Sequence, residues 1–396
     1  MRTPDPSRSV LMVLEATFPP VGGGGAESQV LSLGRRLREH GYAVTVVVPR
    51  VPGGPQASRE QVDGLDVERI GYPRIRIVGG IVMLLRLAAL LVARRKEYGA
   101  IHAHIAHNMA AVSSLVGRAL GKPVLVKLTG IHEMVGGILD AHPGLVARAR
   151  RVAIRRASLV QATSTRIRHM MMDHGFDPAR IVLLPNGVDV SRYAPARRDE
   201  ALRRRLCGDA SLVGIFVGRL APEKGHATLL EVWARAFGAR PEAKLVLVGD
   251  GTLRGALERR ARELGIDRHV VFTGHADDVP PLLAIADFAL LTSLGEGLSN
   301  SLLEYMAAGL PVVGSRVSGT EDFVRDGENG WLFEPGDAED LARCLAAVAA
   351  QDAPRLREMG ERARRDIVRS ASLEAVTCRL LRCYGLDEAR AAVAAD

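Results

Sequence analysis

The stretch Leu294–Ser315 reads LGEGLSNSLLEYMAAGLPVVGS and predicts a loop, a helix and a buried strand in succession. The helix is predicted to begin near Asn300, with Glu304 in its first turn, and to end at the following Gly-Leu-Pro. Glu296 lies in the preceding loop, so both carboxylates converge above the helix N-terminus, where free N–H groups favour an anion. This pattern predicts a ligand with hydroxyl and phosphate groups, such as a nucleotide sugar. The structural alternative is a capping box formed by Ser301 and Glu304.

The chain as a whole is predicted to be an α/β protein with parallel sheets, because strand-like and helix-like segments alternate throughout. Its 396 residues are enough for two or three domains, and 47% hydrophobic with 25% charged residues is typical of a soluble globular protein. No apolar stretch reaches the roughly 18–20 residues that span a bilayer, and the first apolar run is too short for a signal peptide. Four cysteines without CxxC spacing indicate reduced thiols and a cytoplasmic protein.

The positive charge is concentrated in the first half of the chain. The net charge is +8, yet residues 1–190 contain 25 Lys and Arg against 14 Asp and Glu, while the remainder contains 28 against 31. Such an excess predicts an anionic partner: membrane lipid, nucleic acid or a phosphorylated substrate.

Two apolar-basic segments in this half favour one of these anionic partners, membrane lipid. Ile77–Lys96 is apolar with a basic end, and Leu145–Ala157 places Arg148, Arg151 and Arg155 on neighbouring turns. Each alone is consistent with a core helix or a solvated face. Together they favour peripheral attachment to an anionic membrane surface.

A glycine-rich loop follows the first predicted strand. The strand Val10–Glu15 leads to Gly22–Gly25, and a helix is predicted from Ala26 to His40. This unit suits close approach of the backbone to a phosphate, the alternative being a merely flexible loop. It lacks the GxGxxG spacing, and Pro49-Arg50 stands where a dinucleotide ribose needs an acid, so both features argue against a nicotinamide-binding domain.

Histidines mark the ends of two further predicted strands. His102, His104 and His107 form an HxHxxH pattern, and a substrate contact is favoured over a metal site because no Cys or carboxylate lies close in sequence. The strand Val124–Leu128 leads into Thr129–Glu133, which includes His132. Because ligands bind at the carboxyl ends of parallel strands, this group is predicted to line the site, with an exposed loop histidine as the alternative.

The second half opens after a charged, irregular stretch, Ser191–Asp209, which is the predicted interdomain linker. Strand Leu212–Val217 then leads into Gly218–Gly225, GRLAPEKG, which lacks the Gly and the Ser or Thr of a P-loop. Arg219 and Lys224 remain as two cations at a strand end and a helix start. They are suited to grip a diphosphate in place of a divalent metal, whereas the alternative is a charged surface turn.

In order and spacing, these motifs resemble the retaining glycosyltransferases of family 4, which have the GT-B fold. The resemblance covers nearly the whole chain and rests on GGGGAE (Gly22–Glu27), PNGVD (Pro185–Asp189), VGRLAPEKG (Val217–Gly225), VGDGTLR (Val248–Arg254), FTGHADDV (Phe272–Val279) and EGLSNSLLEYMAAGLPVV (Glu296–Val313). It implies two Rossmann-like domains with parallel sheets that face a cleft. Residues 1–190 would bind the acceptor and 200–372 the nucleotide sugar, with the C-terminal helix 373–396 packed back on the first domain.

The resemblance also implies a role for each predicted donor residue. By this resemblance, Arg219 and Lys224 bind the diphosphate, and the backbone at Ser299 and Asn300 caps the phosphate. Gly24 and Gly25 approach the phosphate from the first domain. Glu296 faces the transferred sugar, Glu304 binds the ribose hydroxyls, and Gly274–Asp278 lies near the base. Of these, Arg219, Lys224 and Glu296 are the catalytic candidates. The family needs no metal and no cofactor, and a UDP- or GDP-sugar is the expected donor.

One position departs from the family pattern. Many members end the strand after Lys-Pro with a His-Gly pair beside the donor sugar, but here the pair is Thr129-Gly130 and His132 follows two residues later. His104, Thr129 and His132 are therefore kept as candidate sugar or acceptor contacts.

The activity that the resemblance implies is transfer of a hexose-type sugar, with retention, to an acceptor hydroxyl in lipid-linked glycan or surface polysaccharide synthesis. A nucleotide-sugar 2-epimerase of the same fold is the alternative enzyme. A non-enzymatic basic protein that binds membrane or nucleic acid is the alternative of another class. That reading leaves Arg219, Lys224, Glu296 and Glu304 unexplained, so nucleic acid is not an expected partner.

Overall fold

A computed structural model of the chain describes residues 5–20, 24–55, 57–134, 136–194 and 199–386, without the side chains of Ile131 and His132. These residues divide into two compact units. The first contains the chain up to Gly187 together with the residues from Leu373 onward, and the second is Val188–Ser372.

The first unit is built on an eight-stranded sheet with helices on both faces. Its strands are β1 (Ser9–Val13), β2 (Ala43–Pro49), β3 (Arg59–Val62), β4 (Leu65–Ile70), β5 (Ala100–Ala103), β6 (Val124–Leu128), β7 (Leu159–Ala162) and β8 (Ile181–Leu183). Its helices are α1 (Gly25–Glu39), α2 (Val78–Ala93), α3 (Asn108–Ala119), α4 (Ile131–Met134), α5 (Leu145–Ile154), α6 (Thr165–Asp173) and, at the other end of the chain, α15 (Leu373–Tyr384).

The strand order in this sheet is β3-β4-β2-β1-β5-β6-β7-β8, and every pair is parallel except β3 with β4. A parallel sheet is covered on both faces, so its strands are apolar throughout, and β1 and β6 are buried at every residue. Side chains of α1 and α15 pack on one face, while those of α2, α3, α5 and α6 pack on the other.

The second unit repeats this design with a six-stranded sheet. Its strands are β9 (Leu212–Val217), β10 (Ala243–Val248), β11 (Val270–Gly274), β12 (Phe288–Leu291), β13 (Val312–Ser315) and β14 (Gly330–Phe333). Its helices are α7 (Glu200–Cys207), α8 (His226–Phe237), α9 (Arg254–Glu263), α10 (Pro280–Ala284), α11 (Asn300–Ala307), α12 (Thr320–Phe323), α13 (Ala338–Ala349) and α14 (Ala353–Ser370).

The order of these strands is β11-β10-β9-β12-β13-β14, and all pairs are parallel. Along the chain, β10 and β11 are therefore added on one side of β9, and β12, β13 and β14 are added on its other side. Ligands bind at such a reversal, outside the carboxyl ends of the strands. The pairing of β9 with β12 ends at Ile215 and Ala289, so the two strands separate toward that edge.

The prediction of an α/β fold with two parallel-sheet units is confirmed. The stretch Ser191–Asp209 is not the linker, however, because the chain leaves the first unit between Gly187 and Val188 and returns after Ser372. At this crossing the Val188 N–H donates to the carbonyl of Ala371 at 2.9 Å. Among the described residues, no helix is both long enough and apolar enough to span a membrane.

Candidate active site

Two loops meet at the carboxyl edge of the six-stranded sheet: residues 218–225 after β9 and residues 292–299 after β12. The Thr292 hydroxyl donates to the carbonyl of Lys224 at 2.8 Å, and the Leu294 N–H donates to the carbonyl of Glu223 at 2.8 Å. Gly225 adopts φ +69°, and a Cβ there would overlap the carbonyl oxygen of Thr292. Only glycine permits this close approach, which joins the loop that carries the cations to the loop that carries Glu296.

Lys224 and Glu296 form an ion pair across these loops, and the two side chains are only 18% and 16% exposed. The Ser293 hydroxyl donates to the same carboxylate oxygen at 3.0 Å and so orients it. Arg219 pairs with Glu223 at 3.0 Å and is 68% exposed. The structure thus brings Lys224 and Glu296 into contact, and leaves Arg219 at the surface of the same loop.

Helix α11 begins at Asn300 with Ser299 as its N-cap residue. Ser301 is inside the helix, where its hydroxyl donates to the carbonyl of Val217 at 2.9 Å. The capping-box alternative for Ser301 and Glu304 is therefore wrong. The helix begins near the predicted position, but Glu304 is its fifth residue and therefore lies in the second turn, not in the first as predicted.

Glu304 lies against Tyr193, a residue that the sequence analysis did not identify. The Tyr193 hydroxyl donates to the Glu304 carboxylate, whose pKa burial raises above its usual range. The neighbouring Arg192 pairs with Asp278 at 3.4 Å, in the FTGHADDV segment. Arg364 of α14 holds this chain segment by donating to the carbonyls of Val190 (3.1 Å) and Tyr193 (3.3 Å). The stretch that was interpreted as a linker therefore contributes to the site.

The described part of the glycine loop lies at the start of α1. Gly24 is the N-cap residue and Gly25 is the first helical residue. The Glu27 carboxylate lies where a Cβ at Gly24 would be, so a larger residue at this position would displace the Glu27 side chain. Gly22 and Gly23 lie outside the described residues. Gly24 and Gly25 remain predicted phosphate contacts.

His102 and His104 are both about 1% exposed, and their rings stack 3.9 Å apart beneath α1 and α15. Burial lowers the pKa of both rings, so they are neutral, and His102 Nδ1 lies 2.8 Å from the Tyr384 hydroxyl. Because His104 is almost completely buried, its predicted substrate contact is not carried forward. Within the described ranges, no cluster of three or more His, Cys, Asp or Glu is arranged to hold a metal ion.

The exposed histidine of the pattern is His107, which lies 3.6 Å from the Glu15 carboxylate. The same carboxylate accepts the Met109 N–H at 2.7 Å and so caps α3. Burial by itself raises the pKa of Glu15. The hydrogen bonds from His107 and from the Met109 N–H have the larger combined effect, so the pKa of Glu15 is below its usual value.

Thr129 stands where the family histidine was expected, and its hydroxyl donates to Glu133 at 3.1 Å. Glu133 is 1% exposed and also accepts the Gly130 N–H at 2.9 Å. Beneath them, burial lowers the pKa of Lys127 to about 7, against the opposing charge of Glu133. Thr129 is thus engaged within its own loop. The side chain of His132 lies outside the described residues, so its role stays a prediction.

Comparisons with known proteins match both units. Residues 23–192 match the profile described as "Glycosyltransferase Family 4", and residues 211–351 match "Glycosyl transferases group 1". The chain is 32% identical over 360 residues to a 2-deoxystreptamine N-acetyl-D-glucosaminyltransferase of Streptomyces fradiae, covering 85% of this chain and 84% of that protein. It is 40% identical over 169 residues to a lipopolysaccharide core biosynthesis glycosyltransferase of Rhizobium meliloti, covering 43% of this chain and about half (48%) of that protein.

Among solved structures, the fold resembles the Anabaena protein HepE in complex with UDP. The TM-score is 0.76 at 21% sequence identity, and the match covers 94% of this chain and 98% of that one. At this identity the likeness concerns the fold.

Proposed function

This chain belongs to glycosyltransferase family 4 and has the GT-B fold, and we propose that it transfers a hexose-type sugar from a nucleotide diphosphate sugar to an acceptor hydroxyl with retention of configuration. The observation that carries the proposal is the Lys224–Glu296 ion pair, with Arg219 on the same loop, at the carboxyl edge of the second sheet. A cation and a carboxylate fixed together at a ligand-binding edge suit a substrate that joins a diphosphate to a sugar.

The diphosphate is assigned to the two cations and to the start of α11. Arg219 is exposed, and its contact with Glu223 is a surface ion pair of little strength, so it is available for a phosphate. Lys224 is held by Glu296 and adds a point charge from below. The positive end of the helix dipole at the start of α11, after Ser299, favours the same anion. HepE, with its bound UDP, supports a nucleotide donor of this kind.

Glu296 neutralises Lys224 while the site holds no donor. When a diphosphate approaches, its oxygens compete for the ammonium group, and the carboxylate becomes available to accept hydrogen bonds from sugar hydroxyls. The Ser293 hydroxyl keeps Glu296 oriented during this exchange. The ion pair thus leaves neither partly buried charge uncompensated before the donor binds. When the donor binds, Lys224 contacts the diphosphate and Glu296 contacts the sugar.

In the proposed reaction the bond between the anomeric carbon and the diphosphate oxygen breaks, and its electron pair leaves with the diphosphate. The acceptor oxygen bonds to the anomeric carbon from the same face, and its proton passes to a diphosphate oxygen. Retention then requires no protein nucleophile and no metal. Arg219 and Lys224 stabilise the charge that develops on the leaving group, which is larger in the transition state than in the bound donor.

The nucleoside end is assigned to Glu304. Its carboxylate accepts from Tyr193, which leaves further acceptor sites for the ribose hydroxyls. Asp278 and Arg192 flank the same region and place polar groups near the expected position of the base. A UDP- or GDP-sugar fits this arrangement.

The acceptor is proposed to be a lipid-linked or surface glycan that is reached at an anionic membrane. Helix α3 packs against both α2 and α5, and the three helices expose apolar side chains. With Ile77 (75%) at the N-cap of α2, these are Val78, Ile81, Leu85 (65%), Val92, Leu115, Leu145 (83%), Val146 and Val152. Exposed basic residues lie among them, namely Arg74, Arg76, Arg86, Arg95, Lys96, Arg148 and Arg156. We name these residues the apolar-basic face.

The turn before α2 supports this assignment. Ile77 has φ +67° and ψ −56°, and the Val78 N–H donates to the carbonyl of Arg76 at 2.8 Å, which is a classic γ-turn. This conformation is strained, especially for a β-branched residue. The strain presents Ile77 to solvent, and strained backbone is typical of functional positions. Arg151 and Arg155, in contrast, donate to backbone carbonyls, so they contribute less to the face than the sequence predicted.

The decisive experiment incubates the full chain with a panel of UDP- and GDP-sugars and measures thermal stabilisation, because a ligand that binds the native state raises the melting temperature. The donor that stabilises the protein is then supplied with lipid-linked acceptors, and NMR of the product gives the anomeric configuration. Transfer with retention supports the proposal. Inversion, acceptor-free epimerisation of the donor, or stabilisation by no nucleotide sugar would overturn it.

A further inference from the structure

The end of β9 lacks a strand partner on one side, although it lies in the middle of the sheet. In a parallel strand, successive residues direct their N–H and carbonyl groups to alternate sides. The Gly218 N–H donates to Val248 of β10 at 2.9 Å, so Val217 faces the β12 side. On that side the pairing ends at Ile215 and Ala289. The backbone groups of Val217 therefore have no strand to pair with.

Tyr305 of α11 replaces the missing strand. The Val217 N–H donates to the Tyr305 hydroxyl oxygen at 2.5 Å, and the same hydroxyl donates to the Val217 carbonyl at 3.1 Å. The Ser301 hydroxyl donates to this carbonyl as well, at 2.9 Å. A hydroxyl both donates and accepts, so one phenol bonds both backbone groups of Val217, and it shares the carbonyl with Ser301.

These bonds connect the two halves of the proposed donor site. Val217 directly precedes Gly218-Arg219, which opens the loop of the cations, and Tyr305 directly follows Glu304. Tyr305 is completely buried, so its position is fixed by packing as well as by hydrogen bonds. The hydroxyl therefore sets the distance between the start of the cation loop and the helix that bears Glu304, at the point where β9 and β12 separate.

We infer that Tyr305 is a positioning residue, whose hydroxyl, supported by that of Ser301, holds the 218–225 loop against α11 so that Arg219 and Lys224 face the donor diphosphate. The effect of Tyr305 on catalysis rests on the proposed function. Its effect on the position of the 218–225 loop does not. A displacement of about 1 Å in such a loop is enough to lower turnover about 100-fold.

The test compares Tyr305→Phe with Tyr98→Phe in the full-length protein. Tyr98 is also buried and donates to one backbone carbonyl, that of Leu91, at 2.9 Å, but it lies in the first unit. Each substitution removes a single oxygen atom, but Tyr305→Phe breaks two hydrogen bonds and Tyr98→Phe breaks one, so the loss of melting temperature is expected to be larger for Tyr305→Phe. Hydrogen exchange of backbone amides 217–224 is expected to accelerate in Tyr305→Phe only. Binding of UDP or GDP, whichever stabilises the wild type, is expected to weaken about tenfold.

Turnover separates positioning from simple destabilisation. For Tyr305→Phe at saturating donor we expect kcat to fall about 10- to 100-fold at a temperature where the protein is fully folded, and Ser301→Ala to show a smaller fall in the same direction. Unchanged exchange at 217–224 would overturn the inference whether or not the enzyme is active. If the wild type binds a nucleotide sugar and transfers its sugar, and the kcat of Tyr305→Phe is within twofold of the wild-type kcat, the inference is overturned as well. The proposed function is not affected by that result. Failure of the wild type to bind any nucleotide sugar would instead contradict the proposed function.

Discussion

Lys224 and Glu296, 72 positions apart in the sequence, form an ion pair that joins the loop after β9 to the loop after β12. The pair lies where the strand order of the second sheet reverses. Its two charges balance in the structure, yet each is assigned to a different part of the same donor. The two substitutions are therefore expected to have different consequences.

Lys224→Ala is expected to lower kcat about 10²–10³-fold, because a fixed cation at the leaving group acts mainly in the transition state. Glu296 would then be left without its partner, which destabilises the protein as well. Steady-state kinetics with donor and acceptor both saturating measure the first effect, and thermal unfolding measures the second. Lys244→Ala removes a lysine of the same unit that bonds only the carbonyl of Arg268, and serves as the control. Near-native turnover of folded Lys224→Ala would show the charge assignment to be wrong.

Glu304→Gln is expected to raise the melting temperature at pH 7 while weakening donor binding about tenfold or more. Burial raises the pKa of this carboxyl in the folded protein, so ionisation at neutral pH opposes folding. The unfolded state loses this proton at lower pH than the folded state does. The contribution is therefore unfavourable above the folded pKa and disappears as the pH falls below the unfolded value of about 4.5.

Melting curves between pH 4 and pH 7 measure this dependence, and calorimetry with UDP or GDP measures the affinity lost with a charge-assisted hydrogen bond. Glu358→Gln is the matched control, since Glu358 is an exposed carboxylate of the same unit that pairs with Arg355 and Arg362. If Glu304→Gln lowered the melting temperature as that control is expected to, the assignment of Glu304 as a half-buried, destabilising charge would fail.

Several parts of the site follow from local patterns in the sequence. The glycine loop, the cation loop and the acid-bearing helix each have a composition that identifies them as a strand end or a helix start. Of these, the cation loop and the acid-bearing helix belong to the same parallel sheet, whose carboxyl edge brings them together without further information. For this reason Arg219, Lys224, Glu296 and Glu304 are recognisable from the sequence, although the pairing between Lys224 and Glu296 is not.

The parts that were missed depend on contacts between distant segments. Tyr193 reaches Glu304 because Arg364, 171 positions away, holds its backbone. The start of α11 was ambiguous between two serines, and the carbonyl of Val217 resolves it by binding the hydroxyl of Ser301. The alternation of β5 predicts the face on which His102 lies, but not that Tyr384 of α15 covers this face. In each case a partner from elsewhere in the chain decides the outcome.

Membrane attachment through the apolar-basic face is tested by Leu85→Ser and Leu145→Ser, each of which removes a mostly exposed leucine. Loss of an inserted leucine is expected to weaken binding to phosphatidylglycerol-containing vesicles about tenfold. Arg148→Glu is expected to weaken it by a similar factor and to reduce its salt dependence. Val368→Ser, which changes an apolar residue of the second unit that is 42% exposed, is the control in sedimentation assays. Equal binding by all four variants would contradict attachment through this face.

The last prediction concerns Lys127, which is buried beneath the Thr129–Glu133 loop and faces His102, His104 and Glu133. Burial lowers its pKa to about 7, against 10.5 for an exposed lysine, because the charged form loses its hydration. Between these values the unfolded state binds the proton and the folded state does not, so the free energy of unfolding gains a contribution that rises with pH. In Lys127→Met this contribution is lost. Between pH 7 and about pH 9 the melting temperature of the variant is therefore expected to rise less, or to fall more, than that of the wild type. Lys122→Met, at the turn before the same strand, controls for the loss of a lysine. Parallel pH profiles for Lys127→Met and the wild type would show that Lys127 stays protonated in the folded protein.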